Sequence, residues 1–187
     1  MNRIEDNQLG IIDWEEFEEA AKAILEEAGA TISKFKVNGK KKFTSDDGEY
    51  EIDASVEFTI LGGAEFFVLV ECRAKKQGNS VTRDEILAFY GKMQSLSAQK
   101  GIFFTTSGYQ KGAIEYAKKH SIALVQVVDG KSLYITKGAG VKNVTPPPWV
   151  KLPKYAGWLI SLAEKNKTSY SLVRPEIQKE LLEAKEK

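Results

Sequence analysis

The chain has 187 residues, a formal net charge of +1, 42% hydrophobic residues and 28% charged residues. That length and composition allow one sizeable hydrophobic core and exclude a disordered polyelectrolyte. The near-zero net charge excludes a generally basic nucleic-acid coat, so any nucleic-acid contact has to come from a local patch. A single cysteine, Cys72, rules out an internal disulfide, and with only His120 beside it the usual Cys- and His-rich zinc sites are ruled out as well. Residues 1–10 are polar with no apolar signal core, and no apolar run approaches a membrane span. The expectation is a cytoplasmic protein with no membrane partner.

The first predicted element is a helix from Asp13 to Gly29. Asp13 can cap it, acidic residues fill its first turn, and Trp14, Phe17, Ala21, Ile24, Leu25 and Ala28 recur at helical spacing. Thr31 to Val37 alternates as a strand does, and Asn38-Gly39 is a turn signal. Lys40, Lys41 and Lys42 follow, a solvated basic turn or a backbone contact, and then a polar loop from Thr44 to Gly48.

From Tyr50 to Ile60 the pattern has period two: Ile52, Ala54, Val56, Phe58 and Ile60 on one face, Asp53, Ser55, Glu57 and Thr59 on the other. This predicts one continuous strand. Gly62-Gly63 turns the chain, and Glu65 to Arg73 returns as a strand with a nearly unbroken apolar run, the mark of a strand covered on both faces. Thr82 to Ala98 and Gln110 to His120 have helical spacing, and Gly101 to Thr105 and Ile122 to Val127 are short buried strands. Alternation of strand and helix argues for parallel crossovers. Leu133 to Thr136 adds a possible edge strand. Pro146-Pro147-Pro148 reads as a stiff linker, followed by two helices, about Pro153 to Lys165 and Ser171 to Ala184. The expected fold class is α/β, a central mixed sheet flanked by helices with a C-terminal helical tail. Residues 1–145 form the main domain and 146–187 the linker and tail.

Asp53 and Glu71 are carboxylates inside two otherwise apolar strands, and such groups need a partner or a metal. If Leu61-Gly62-Gly63 is a three-residue loop, Ile60 faces Ala64 and Asp53 faces Glu71 on the same face; a two-residue turn would set Asp53 against Cys72 instead. Two close carboxylates repel unless a cation lies between them, and a hard ion such as Mg²⁺ takes oxygen ligands. Arg73, on the same face as Glu71, could orient water, neutralise developing charge, or simply pair with a carboxylate. Ser107 ends a buried strand before a helix, where its hydroxyl serves either as an N-cap or as a phosphate contact. Lys75 and Lys76 lie beside the proposed site, where contact with a nucleic-acid backbone is expected.

Asp53 followed by Glu71-Cys72-Arg73 resembles the PD-(D/E)XK nuclease motif. The downstream segments GIFFTTSGY (101–109) and AIEYAKK (113–119) resemble the Mrr-type restriction endonuclease catalytic domain, and Trp14, Phe17 and Glu18 match the Trp-x-x-Phe-Glu helix that precedes the hairpin in that family. The resemblance covers about residues 13–128. It implies a restriction-endonuclease-like core that hydrolyses DNA phosphodiesters with Mg²⁺, or Mn²⁺ in its place. Asp53, Glu71 and the backbone carbonyl of Cys72 would hold the ion, and Glu18 would reach the site from the first helix. Cutting both strands implies a homodimer or a partner protein, which would also supply specificity. The family normally has lysine where this chain has Arg73. Three readings follow: Arg73 positions phosphate or water, Lys75 or Lys76 substitutes as the lysine, or the chain is a DNA-binding or scaffold subunit that has lost the chemistry.

Overall fold

The computed structural model describes residues 14–28, 34–60, 64–76, 78–129, 154–162 and 167–173. Helix α1 (Trp14–Ala28) is followed by β1 (Lys36–Asn38), β2 (Lys41–Ser45), β3 (Gly48–Ile52), β4 (Ala54–Ile60) and β5 (Ala64–Arg73). Next come α2 (Arg83–Ser95), β6 (Lys100–Thr105), α3 (Lys111–Lys119) and β7 (Ile122–Asp129), and then β8 (Tyr155–Leu162) and β9 (Thr168–Leu172). One seven-stranded sheet has the order β1-β4-β5-β6-β7-β8-β9, and β2 and β3 form a separate two-stranded sheet. The β5, β6 and β7 pairings are parallel, as the strand-helix alternation predicts, and the flanking pairs are antiparallel, so the sheet is mixed.

The parallel strands are covered on both faces, which explains their continuous apolar sequence. On one side, Ile86, Phe89 and Met93 of α2 and Ala113, Ile114 and Ala117 of α3 pack with Leu69, Phe103 and Leu124. On the other, Phe17 and Ala21 of α1 pack with Val56, Val68, Val70, Cys72, Phe104 and Val125. Helix α2 starts with a capping box: the Thr82 hydroxyl accepts from the Glu85 N–H, and the Glu85 carboxylate accepts from the Thr82 N–H at 2.9 Å. Residues 13 and 29, assigned to the ends of the first helix, residues 31–33 of the first predicted strand, the edge strand at 133–136 and the proline linker at 146–148 lie outside the described residues.

Three expectations need correction. The loop predicted at 44–48 is a hairpin in which β2 pairs with β3, with Phe43 opposite Tyr50 and a turn through Asp46-Asp47. The continuous strand predicted from Tyr50 to Ile60 is broken by a bend at Asp53. Ile52 packs into the α2/α3 core and Ala54 into the α1 core, so the chain crosses from one side of the sheet to the other between them. A straight strand would have sent both to one side. The helix predicted at about Pro153 to Lys165 is a strand where the structure describes it, and the first residues of the one predicted from Ser171 to Ala184 fall at the end of another: β8 pairs antiparallel with β7, and β9 with β8, extending the main sheet, while residues 153, 163–165 and 174–184 of those two predictions lie outside the described residues. Gly157 gives the reason. A Cβ there would lie 3.0 Å from both Val125 Cγ1 and Val173 Cγ2, so these two side chains close over Gly157 and leave little room for one of its own, whereas in a helix the same glycine would cost about 1 kcal/mol.

Gly101 of β6 is the tightest point of the α2 face. A Cβ at this position would lie 2.5 Å from Met93 Sδ and 2.7 Å from Phe89 Cε1. Gly101→Ala is therefore expected to destabilise the fold by about 1–3 kcal/mol, because α2 has to move away from the sheet. Urea denaturation of the two proteins measures the difference; equal midpoints would mean that the helix rides more loosely than this packing shows.

Candidate metal and phosphodiester site

The β4–β5 hairpin fixes the register of the site. Ile60 pairs with Ala64 across residues 61–63, and the ladder runs through to Ala54 opposite Val70. The three-residue loop of the two alternatives is therefore the one adopted. One step further, Asp53 comes to the level of Glu71, but the bend takes it out of the ladder. Its carboxylate instead accepts a hydrogen bond from the Cys72 backbone N–H, at 2.7 Å to Oδ2. That bond holds the Asp53 side chain at the end of the hairpin, next to Glu71.

Glu71 is 4% exposed. It shares a face of β5 with Leu69 and so points to the α2 side. Its two oxygens have different cationic partners: Arg73 Nη2 lies 2.8 Å from Oε1, and Lys92 Nζ lies 2.9 Å from Oε2. Burial pushes the Glu71 carboxyl above its ordinary value, the hydrogen bond and charge of Lys92 oppose that shift, and the nearby Asp53 adds to it. Lys92 Nζ also reaches the Glu51 carbonyl at 3.3 Å, and the Glu51 side chain pairs with Lys40 at 2.9 Å. Charges alternate in sign from Lys40 through Glu51, Lys92 and Glu71 to Arg73.

Cys72 itself is buried in the α1 core. Burial pushes its thiol far above the ordinary value, and the negative charges of Asp53, Glu18 and Glu71 push it further. Glu18, on α1, also acts on Lys40, as does Asp53. Among the described residues, no three His, Cys, Asp or Glu side chains stand close enough together to hold a metal ion between them. The donor set nonetheless fits a hard divalent cation, which binds through one or two carboxylates and keeps waters or phosphate oxygens in its other positions.

The remaining predicted residues lie at the rim. Lys75 Nζ is held by Glu85 at 2.8 Å, and its backbone N–H donates to Thr106 Oγ1 at 2.9 Å. Lys76 is exposed. The Ser107 hydroxyl donates to the Asn79 carbonyl at 2.6 Å, and the N-cap of α3 is Gln110, so capping by Ser107 does not occur. His120 closes the C-terminal end of α3, stacked on Tyr116 with ring centroids 4.1 Å apart. Lys92 was not among the sequence candidates. The signal for it was present: it lies three residues after Phe89 and one before Met93, both buried, which places it on the core-facing margin of its helix.

Buried Glu71 and half-buried Asp53 at the end of the hairpin, with cations from strand and helix, form one cluster of carboxylates and positive charges in a mixed sheet. A profile of the restriction endonuclease family, the Mrr-type catalytic domain, matches residues 10–134, and the chain belongs to that family. It is 35% identical over 86 residues to the type IV methyl-directed restriction enzyme EcoKMrr of Escherichia coli strain K12; the match covers 46% of this chain and 26% of that enzyme. The protein thus aligns with about a quarter of the length of that relative. Among solved structures it is similar to AF1548, a protein of unknown function, with a TM-score of 0.48 and 19% identity over 57% of this chain and 54% of the other. It is also similar to the DNA modification-dependent restriction endonuclease AspBHI, with a TM-score of 0.42 and 17% identity over 58% of this chain and 27% of the other.

The environment of Cys72 makes a direct prediction. A thiol this deeply buried is protonated and shielded at pH 8, and only the thiolate reacts. Labelling by a disulfide reagent in native buffer is expected to be at least about 100-fold slower than in guanidinium, since reactivity follows thiolate access. Comparable rates would place the cysteine outside the core and undo the assignment of the β5 faces.

Proposed function

We propose that this chain is a divalent-metal-dependent endodeoxyribonuclease, with Mg²⁺, or Mn²⁺ in its place, held by Asp53, Glu71 and the backbone carbonyl of Cys72. The observation that carries the reading is the placement of Asp53 beside the buried Glu71, through the Cys72 N–H bond, in a member of the restriction endonuclease family. When bound, the ion supplies Lewis-acid stabilisation of charge on the phosphoryl oxygens. The protein residues do the rest. Arg73, half exposed at the mouth of the site, presents a planar fork of donors that suits a phosphate. Glu18 adds negative charge from α1 on the side of Asp53 and Lys40. Lys75 and Lys76, at the end of β5, hold the DNA backbone, and Ser107, whose hydroxyl donates to the Asn79 carbonyl, lies on the same rim. Water attacks phosphorus, the phosphorus–oxygen bond to the leaving strand breaks, and the products are a phosphate monoester and a hydroxyl end.

The role that follows is DNA restriction. A second copy of the chain or a partner protein supplies the second cut and the choice of target. One observation favours a competing reading, in which the chain binds DNA without cutting it: both Glu71 oxygens already have cations, and one of these is an arginine at the position the family gives to lysine.

Plasmid nicking with Mg²⁺, Mn²⁺ or EDTA, on methylated and unmethylated DNA, separates the two readings. Metal-dependent nicking is expected. Asp53→Ala and Glu71→Ala are expected to lower it at least about 100-fold, since loss of even an outer-shell partner of a metal ligand costs 10–100-fold. Absence of nicking with either metal on either DNA, while DNA is still retained in a gel shift, would decide for the binding subunit.

A further inference from the structure

Glu71 is balanced by two positive charges, but the two cations are not equivalent. Arg73 reaches it from the same strand, with a side chain 48% exposed. Lys92 reaches it across the α2–sheet interface, with a side chain 25% exposed, on a helix anchored by the buried Phe89 and Met93. The Lys92 ammonium has a second acceptor at hand in the Glu51 carbonyl. A divalent ion bound to the same carboxylate would bring a third positive charge within contact distance of the other two, and like charges this close repel. Whichever cation leaves Glu71 then has to find another anion, and a substrate phosphate brought to the same site by the ion supplies one. A lysine ammonium is a compact charge on a flexible four-carbon stem, suited to such a change of partner, whereas the arginine fork is best satisfied by holding a carboxylate in place. Of the two lysines that follow β5, Lys75 is engaged by Glu85 and by its own backbone bond to Thr106, and Lys76 is exposed at the rim.

We propose that Lys92, on helix α2, is the functional lysine of this site, holding Glu71 in the absence of a divalent ion and turning to the scissile phosphate in its presence. The proposal rests on the nuclease reading above. It moves the lysine function from the strand position now occupied by Arg73 to the facing helix, on the same side of the sheet.

The test combines two readouts on purified Lys92→Met, Lys92→Arg and the double variant Arg73→Lys/Lys92→Met: Mn²⁺ binding by calorimetry without DNA, and plasmid nicking at saturating metal. Loss of a charge that competes with the ion is expected to tighten Mn²⁺ binding about tenfold in Lys92→Met, while loss of the donor to phosphate slows nicking about 100-fold. Arginine at 92 grips Glu71 as a fork, so Lys92→Arg is expected to bind Mn²⁺ more weakly than wild type and to nick more slowly. It keeps the buried carboxylate neutralised, so it remains informative if Lys92→Met fails to fold. The double variant, with lysine restored at 73, is expected to regain at least about tenfold of the nicking lost in Lys92→Met. Weaker Mn²⁺ binding and slower nicking together in Lys92→Met would make Lys92 a structural clamp and overturn the proposal. Wild-type nicking rates in Lys92→Met, or in Lys92→Arg, would also overturn it while leaving the nuclease reading intact. A wild-type chain that binds Mn²⁺ but never nicks would overturn the nuclease reading itself, and the role of Lys92 with it.

Discussion

The buried carboxylate of Glu71 is the group around which this structure is organised. It lies in a strand covered on both faces, among Val70, Cys72 and Phe103, where a solvated anion has no place. An unpaired charge at such depth costs several kcal/mol. The structure meets that cost with two cations from different elements, one two residues along the strand and one from the helix laid across it. Replacing all three by apolar residues would give at least as stable a core, since buried ion pairs rarely add net stability over well-packed hydrophobic groups. Retention of the triad in the middle of the sheet is therefore better explained by chemistry than by folding. Burial raises the Glu71 carboxyl above its ordinary value while the hydrogen bond and charge of Lys92 oppose the shift, so the group is sensitive to any change among its neighbours.

The second half of the site depends on a backbone event. The chain cannot continue as one straight strand from β3 into β4, because Ile52 belongs to the core under α2 and Ala54 to the core under α1. The bend falls on Asp53 and frees that residue from sheet pairing. Its side chain, no longer fixed by a ladder, is fixed instead by the Cys72 N–H. The same bend projects β2 and β3 as a separate hairpin against the end of α2, where the Ser45 hydroxyl donates to the Ser95 carbonyl and Ser95 in turn to Asp47. That docking places Lys40 and Glu51 beside Lys92. The hairpin, the bend and the acidic pair are one structural decision: moving Asp53 back into a continuous strand would remove the hairpin support and Asp53's bond to Cys72 together.

The parts of this arrangement that follow local pattern were readable from sequence, and the parts that follow tertiary crowding were not. Counting across Leu61-Gly62-Gly63 reduced the hairpin register to two alternatives, because a period-two pattern and a glycine turn leave few others, and the structure adopts the one that pairs Ile60 with Ala64. The parallel unit from β5 to β7 came from alternating apolar runs and helical spacing, which also located α2. The strand break at Asp53 had no local signal: the alternation of Ile52, Ala54 and Val56 is uninterrupted, and only the presence of two separate cores divides it. Residues 155–162 misled for a related reason. Tyr155, Trp158, Leu159 and Leu162 fall at helical spacing, but the open edge of β7 takes up the segment as a strand, with Leu159 left half exposed. Lys92 was hidden because a lysine on an amphipathic helix normally reads as solvated surface, and what sets it apart is a carboxylate contributed by a strand 21 residues earlier.

The presence of arginine at position 73 gains a physical meaning from this geometry. The face of β5 that carries Leu69 and Glu71 is opposed by α2, so a positive charge can reach the Glu71 carboxylate either along the strand or down from the helix. A site with lysine already on the helix gains little from a second flexible ammonium on the strand, and two such groups would compete for one carboxylate oxygen. A guanidinium at 73 avoids that competition. It takes Oε1 and leaves Oε2 to Lys92, while its half-exposed side chain faces solvent, where a phosphate can approach. Division of labour between a fixed cation at the mouth and a movable one beneath it is a consistent solution to one constraint: a single buried carboxylate has to be neutral enough to fold around and open enough to bind an ion.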